Sequence, residues 1–308
     1  MKSITELMVS IRECVNDTIV KNHLIQNTGK WHQICSCMDS IEDTELAVES
    51  YIKNYEPKDE GEKYLLLYGL LQTMIVQQDA AKHLSNSFGL DFSFSPEIRL
   101  IRDIRNESIG HPTKKGIRKE PISYHFISKI SIHKFEFDLL STFGDSRESI
   151  HKTIHLDSQL ETQSKEIQAS LLYVIKTMKE MKREIQMKFS GSKLQEVANM
   201  EKISHPLGYI QEAAYDPESW KGTYGVKEIS KILEEFEKGL EERQLLEVEN
   251  EDNIAVIKHA LIKLERFFSG DKSVEIYDAR IFAHFLNQKV GVDLIEQVSE
   301  IDNMYRFE

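Results

Sequence analysis

The chain has 308 residues and a formal net charge of −12, and 40% of its residues are hydrophobic. A domain usually takes about 100–200 residues, so the length predicts two domains, and the composition allows each a sizeable core. The acidic balance excludes a protein that coats nucleic acid by bulk electrostatic attraction. No stretch reaches the roughly 18 apolar residues of a membrane span and no secretion signal is recognisable, so we expect a cytoplasmic protein without membrane contact.

The first part of the chain has apolar residues at helical spacing. This spacing predicts one helix over residues 3–23 and a second over residues 28–55. A long amphipathic helix is expected over residues 63–88, and Pro96 is placed at the first position of the next helix. We therefore expect four helices before Gly110.

Three cysteines lie in this helical part, and no disulfide framework is expected because an odd number cannot all pair. They are Cys14, Cys35 and Cys37. Cys35 and Cys37 combined with His32 would offer metal ligands, but the two thiols point to different faces of a helix and no second ligand pair follows. Neither a metal site nor another cofactor is predicted.

Residues 122–156 alternate apolar and polar side chains with a period of two, which is typical of two or three short strands in an antiparallel sheet. A helical pattern then resumes over residues 157–191 and closes a first domain of residues 1–190. Residues 191–308 are expected to form a second, all-helical domain. Its predicted helices cover residues 226–245, 253–268 and 274–308. Four histidines of the strand segment are interpreted as exposed or edge residues: His125, His133, His151 and His155.

The helix that begins at Pro96 ends in a motif made of Arg105, the polar residue Asn106, four further residues and His111. Projection of the helix puts Arg105 at the border of its apolar arc, so its guanidinium should be partly buried and need an acceptor. Either an acid, such as Asp79 or Asp103, or a bound phosphate supplies that acceptor. The apolar arc contains Ile98, Leu100, Ile101 and Ile104.

His111 lies between Gly110 and Pro112, two residues that end helices. We therefore expect His111 at a helix end, one loop away from Arg105. Basic residues surround the motif: between Glu97 and Lys119 there are seven of them against three acids. The basic residues are Arg99, Arg102, Arg105, Lys114, Lys115, Arg118 and Lys119. Such a positive island predicts binding of a phosphate chain over a short footprint.

The Arg-polar-x4-His pattern, preceded by a long helix and a short loop, resembles the motif of the HEPN superfamily, whose helical domains serve defence and RNA processing. The resemblance covers roughly the first half of the chain. It implies an antiparallel helical bundle, here with a small inserted sheet. Many members are metal-independent endoribonucleases, including those of toxin–antitoxin and antiviral defence systems, and others are inactive binding modules. Members pair face to face, which implies a homodimer here.

The resemblance implies that Arg105, Asn106 and His111 are catalytic. Cleavage by the 2′-hydroxyl needs a base, an acid and a cation, and two copies of the motif supply these better than one. Arg99, Arg102, Lys114 and Lys115 are predicted to bind RNA phosphates, with Asp79 in support. Two alternatives stay open: a non-catalytic module that binds RNA, a nucleotide or a protein such as an antitoxin, and a scaffold whose motif only joins helices.

Two features of the second domain have simpler interpretations. His205-Pro206 repeats the His-Pro pair, but no arginine stands five to seven positions before it, so it is interpreted as a helix boundary. The acidic run 234–252 is interpreted as a solvated helix face and loop. Its alternative role is to cover the basic residues around the motif and close the site.

Overall fold

The protein is described by a computed structural model covering residues 2–115, 122–144, 149–216, 219–246 and 248–306. It is mainly helical with one small antiparallel sheet, as predicted. The chain packs as two compact units, Met1–Glu180 and Met181–Glu308. In the described ranges no helix is long and apolar enough to cross a membrane.

Residues 2–110, all of which are described, form five α-helices rather than the expected four. They are α1 Ile4–Asn16, α2 Thr18–Ile25, α3 Thr28–Asn54, α4 Glu60–Ser87 and α5 Pro96–Arg105. The single helix predicted over residues 3–23 is wrong because the helix is interrupted at Asp17. Asp17 is the C-cap of α1, where its backbone N–H donates to the last carbonyls of that helix. It is also the N-cap of α2, where its carboxylate accepts a hydrogen bond from the Val20 N–H. Short acidic side chains favour such caps over helix interiors.

Three strands follow, β1 Ser123–Ile127, β2 Glu136–Phe143 and β3 Ser149–His155, paired antiparallel in the order β1-β2-β3. Their inner face buries Phe137, Leu139 and Ile154. His125 shares this face and is only 5% exposed, so of its interpretation as an exposed or edge histidine the exposed part is wrong, while β1 is an edge strand of the sheet. The alternation had put Ile122, Tyr124 and Phe126 on the apolar face, but β1 buries Ser123 and His125 and exposes Tyr124 and Phe126.

Helix α6, Leu156–Phe189, follows β3 directly. Buried side-chain hydrogen bonds join it to α4, since Gln78 donates to Gln163 at 2.7 Å and the hydroxyls of Ser85 and Ser170 lie 2.7 Å apart. The division between the two units falls within this helix, whereas the domain boundary predicted at residue 190 lies just after its end.

In the second unit the described residues form helices and no strand. These helices are α7 Leu194–Val197, α8 Ser204–Ala213, α9 Trp220–Glu242, α10 Val248–Phe268, α11 Ile276–Gln288 and α12 Leu294–Met304. The single helix predicted over 274–308 is two helices joined by a π turn, Lys289–Asp293. His205-Pro206 lies in the first turn of α8, which confirms the predicted helix boundary.

Candidate functional site

The motif region begins where α5 ends in a five-residue π turn, Asn106–Gly110. A π turn adds a residue to each hydrogen-bonded loop of the helix, and such turns are frequent at functional sites. It closes with the His111 N–H donating to the Asn106 carbonyl at 2.6 Å. His111 is therefore the first residue beyond the helix, at the helix end that the sequence predicted, and its side chain is exposed.

Neutral side-chain oxygens hold the guanidinium of Arg105. Its Nε and Nη2 donate to Gln72 Oε1 at 3.1 and 2.8 Å, and its Nη1 donates to Asn106 Oδ1 at 3.0 Å. Among the described residues no carboxylate forms an ion pair with Arg105, so the first expected acceptor, an acid such as Asp79 or Asp103, is wrong, and the second, a bound phosphate, stays a prediction. The positive charge of Arg105 is oriented by hydrogen bonds without being neutralised by a described acid.

Gly110 allows the guanidinium to lie against the backbone of the π turn. A Cβ atom at this position would come within 2.9 Å of Arg105 Nη1 and 3.2 Å of Asn106 Oδ1. These distances are shorter than ordinary contacts, so a larger residue would displace the arginine. The turn therefore gathers Arg105, Asn106 and the backbone leading to His111 into one cluster.

Asp79, predicted to support the site, accepts a hydrogen bond from Arg102 and forms an ion pair with it between α4 and α5. Both side chains are partly exposed. The pair joins α4 to α5, the helix that leads into the motif. Because Asp79 partly neutralises Arg102, this arginine attracts a phosphate less than an unpaired arginine would. The sequence predicted Arg102 as a phosphate ligand and did not predict this ion pair.

The other residues predicted to bind RNA differ in their surroundings. Arg99 and Lys114 are exposed, whereas Lys115 forms an ion pair with Glu107 at 2.8 Å. Leu100, expected in the apolar arc of α5, is 37% exposed because it lies at the edge of that arc. Arg118 and Lys119 lie outside the described residues.

The segment after His111 is anchored to β1. The backbone groups of Lys115 and Ser123 exchange two hydrogen bonds of 2.9 Å, and the His125 N–H donates to the Pro112 carbonyl at 2.8 Å. This pairing extends the edge of the sheet to the motif. It explains how a loop residue such as His111 is held although its own side chain is exposed.

The ring of His125 is itself fixed, with Nε2 3.0 Å from Ser123 Oγ and Nδ1 2.8 Å from Ser141 Oγ. Burial lowers the pKa of His125 below 6.5; the charge of Glu107 opposes that shift and the charge of Lys115 adds to it. The neutral ring accepts from one hydroxyl and donates to the other, so two serines satisfy it fully.

Sequence reasoning missed Gln72 and His125. Gln72 had a usable signal, since it precedes Asp79 by seven positions and so faces the same side of α4. Ser108, inside the π turn, is 2% exposed, and its hydroxyl has no hydrogen-bond partner among the described residues. No signal in the sequence identified that buried hydroxyl.

Comparisons of the chain with protein-family models, with curated proteins and with solved structures find no match. Function has therefore to be argued from the site. In the described part of the chain no three His, Cys, Asp or Glu side chains are placed to share a metal ion. The chemistry that the motif itself offers is a fixed guanidinium for an anion and an exposed imidazole for proton transfer.

Proposed function

We propose that the first unit carries a HEPN-like ribonuclease site that cuts RNA without a metal, in a defence or toxin-type system. The observation that carries the proposal is the setting of Arg105, whose guanidinium is held by Gln72 and Asn106 and has no described carboxylate to neutralise it. A positive charge fixed by neutral dipoles is well suited to a phosphate, because binding the anion need not break an ion pair.

The proposed reaction is attack of a ribose 2′-oxygen on the adjacent phosphorus. One imidazole takes the proton of the 2′-hydroxyl while the bond from phosphorus to the 5′-oxygen breaks, and a second imidazole gives a proton to that 5′-oxygen. The products are a 2′,3′-cyclic phosphate and a free 5′-hydroxyl. Arg105 stabilises the negative charge on the non-bridging phosphate oxygens, and Arg99 and Lys114 contact neighbouring phosphates.

Two imidazoles imply two copies of His111, so the proposed enzyme is a homodimer with the motifs facing each other. Light scattering on dilute protein measures its mass directly. A dimer is expected with and without RNA, and a strict monomer in both conditions would contradict the composite site.

The test of the proposal is cleavage of several structured and single-stranded RNAs by the His111→Ala protein. Loss of a proton-transfer group lowers rates about 10²- to 10⁴-fold, so cleavage should collapse while RNA binding persists. Chelation by EDTA should leave wild-type cleavage unchanged. His133→Ala is the matched control because His133 is also exposed and lies outside the motif. Wild-type cleavage by a folded His111→Ala protein would remove His111 from the mechanism.

The second candidate is a module that binds RNA, a nucleotide or a partner protein without cutting. The ion pairs Arg102–Asp79 and Lys115–Glu107 engage two of the predicted phosphate ligands, so within this candidate they favour a partner protein over RNA. This candidate predicts that His111→Ala and Arg105→Ala affect binding alike. The ribonuclease proposal predicts that only the arginine variant loses binding.

A further inference from the structure

The first unit contains a cavity of about 330 Å³ remote in the sequence from the motif. Its walls are largely apolar, with Val48 and Ile52 from α3, Leu160 from α6, and Ile4 and Phe135. Small-molecule sites are mostly apolar cavities of about 300–1,000 Å³ with a few oriented polar groups, so this one has the size of a small ligand.

Two buried amides form part of its polar lining. Gln77 and Gln163 are 2% and 1% exposed, and Gln163 Nε2 donates to Gln77 Oε1 at 2.9 Å. Gln77 Nε2 in turn donates to Glu45 Oε2 at 2.9 Å. The chain of hydrogen bonds fixes the direction of each amide and places the Glu45 carboxylate at the cavity wall.

The charged residues that line the cavity are all acidic. Four carboxylates line the cavity, and none of its described lining residues is Lys, Arg or His. Three of these acids have an evident partner. Glu49 pairs with Lys53 at 2.8 Å and Glu161 pairs with Lys165 at 2.6 Å. Asp157 stands in the first turn of α6, where a helix favours negative charge.

Glu45 is the fourth of these carboxylates, and neither a described ion pair nor a helix N-terminus stabilises its charge. It is partly buried, and a single amide hydrogen bond from Gln77 is its described partner. Burial raises the pKa of Glu45 and Glu49 adds to the increase, while the bond from Gln77 opposes it. A partly desolvated carboxylate without a cation is costly, and a ligand cation would remove that cost.

We propose that this cavity binds a small organic cation with an apolar body, such as a protonated primary amine, whose charged group pairs with Glu45 and whose body contacts the apolar walls. The ligand is an organic cation and not a metal ion, because the described residues offer no group of three metal ligands. The proposal is independent of the ribonuclease site and does not depend on that function.

The test uses the full chain and 2-phenylethylammonium as the probe, with affinity measured by isothermal titration calorimetry at low salt. Binding is expected for this cation and not for phenylacetate, which has the same aromatic body and the opposite charge. Glu45→Gln keeps the size of the side chain and removes its charge. It should weaken binding about ten- to a hundredfold, the usual worth of a hydrogen bond to a charged group.

Asp43→Asn is the matched control, because it removes one charge from an exposed position of the same helix outside the cavity, and it should bind the probe like the wild type. Ile52→Trp fills the cavity from a wall residue that is 40% exposed, so it should fold and also lose the probe. Three results would each overturn the proposal. They are no binding of the cation by folded wild-type protein, equal binding by Glu45→Gln or Ile52→Trp, and equal binding of phenylacetate.

Discussion

Two arginines at the ends of helices, Arg105 in the first unit and Arg243 in the second, show two opposite uses of the same side chain. Arg243 follows α9 and is 5% exposed; its Nη1 donates to the Gly239 carbonyl at 3.0 Å and its Nη2 donates to the Ser192 carbonyl. Its guanidinium carbon lies 4.7 Å from the ring centre of Phe189. Backbone carbonyls and aromatic rings therefore enclose this arginine.

Arg105, by contrast, ends α5 with a partly exposed guanidinium bonded to side-chain oxygens. Backbone carbonyls cannot move away without unfolding, whereas side-chain oxygens can exchange with a ligand. Burial also lowers the pKa of Arg243, so that charge is held at a cost to the folded state. The comparison indicates that Arg243 serves the fold and that Arg105 is available to an anion.

The sharpest test of this difference is Arg105→Gln. Removal of a group that stabilises transition-state charge typically lowers rates about 10²- to 10³-fold, so RNA cleavage should fall by that factor. The free energy of unfolding should change by less than about 1 kcal/mol, because the hydrogen bonds lost are partly exposed. Cleavage rates and urea denaturation measure both quantities. A large loss of stability with unchanged cleavage would make Arg105 a structural arginine like Arg243.

Arg243→Met should instead have its main effect on stability. The carbonyls of Gly239 and Ser192 lose a buried donor, so the second unit should be destabilised by roughly 2–3 kcal/mol. Hydrogen exchange resolved along the chain measures this loss unit by unit. Arg266→Met, at an exposed position of α10, is the matched control and should change little. Equal stability of the two variants would contradict the structural role of Arg243.

Two glycines next to these arginines extend the comparison. A Cβ at Gly239 would lie 2.3 Å from Leu194, which is fully buried and cannot move away, so Gly239→Ala should cost about 1–3 kcal/mol of stability.

At Gly110 the Cβ would meet the flexible end of the Arg105 side chain. Gly110→Ala should therefore leave the melting temperature nearly unchanged and lower RNA cleavage about tenfold. The result to watch for is wild-type cleavage by Gly110→Ala, which would show that the position of Arg105 does not matter.

The smallest expected effect is a loss of stability of the first unit at acidic pH. Because the pKa of His125 is lowered in the folded chain, the unfolded chain binds a proton more readily, and protonation favours unfolding below about pH 6.5. The contribution of the neutral ring is present above that pH and is lost as the pH falls through the folded-state pKa. Melting temperatures between pH 7.5 and 5.5 should fall less steeply for His125→Gln than for the wild type. His133→Gln, an exposed control, should keep the wild-type slope.

Much of the fold was predictable from local patterns. The helix that begins at Thr28, the proline at the start of α5, and the three short strands all follow from spacing and capping that involve neighbouring residues. The break at Asp17 was missed because its apolar spacing continues across it, and only the capping bonds of Asp17 interrupt the helix.

The sequence by itself determined that Arg105, Asn106 and His111 lie together at a helix end, because their spacing and Gly110 act over a few residues. The tertiary structure alone decided which groups they meet. Arg105 bonds to Gln72, which is 33 positions away, and not to Asp79. The burial of His125 and the acidic cavity around Glu45 likewise depend on residues that are distant in the sequence. Periodicity predicts which residues share a face, but which face is buried and which partner lies across it depend on how whole helices and strands pack.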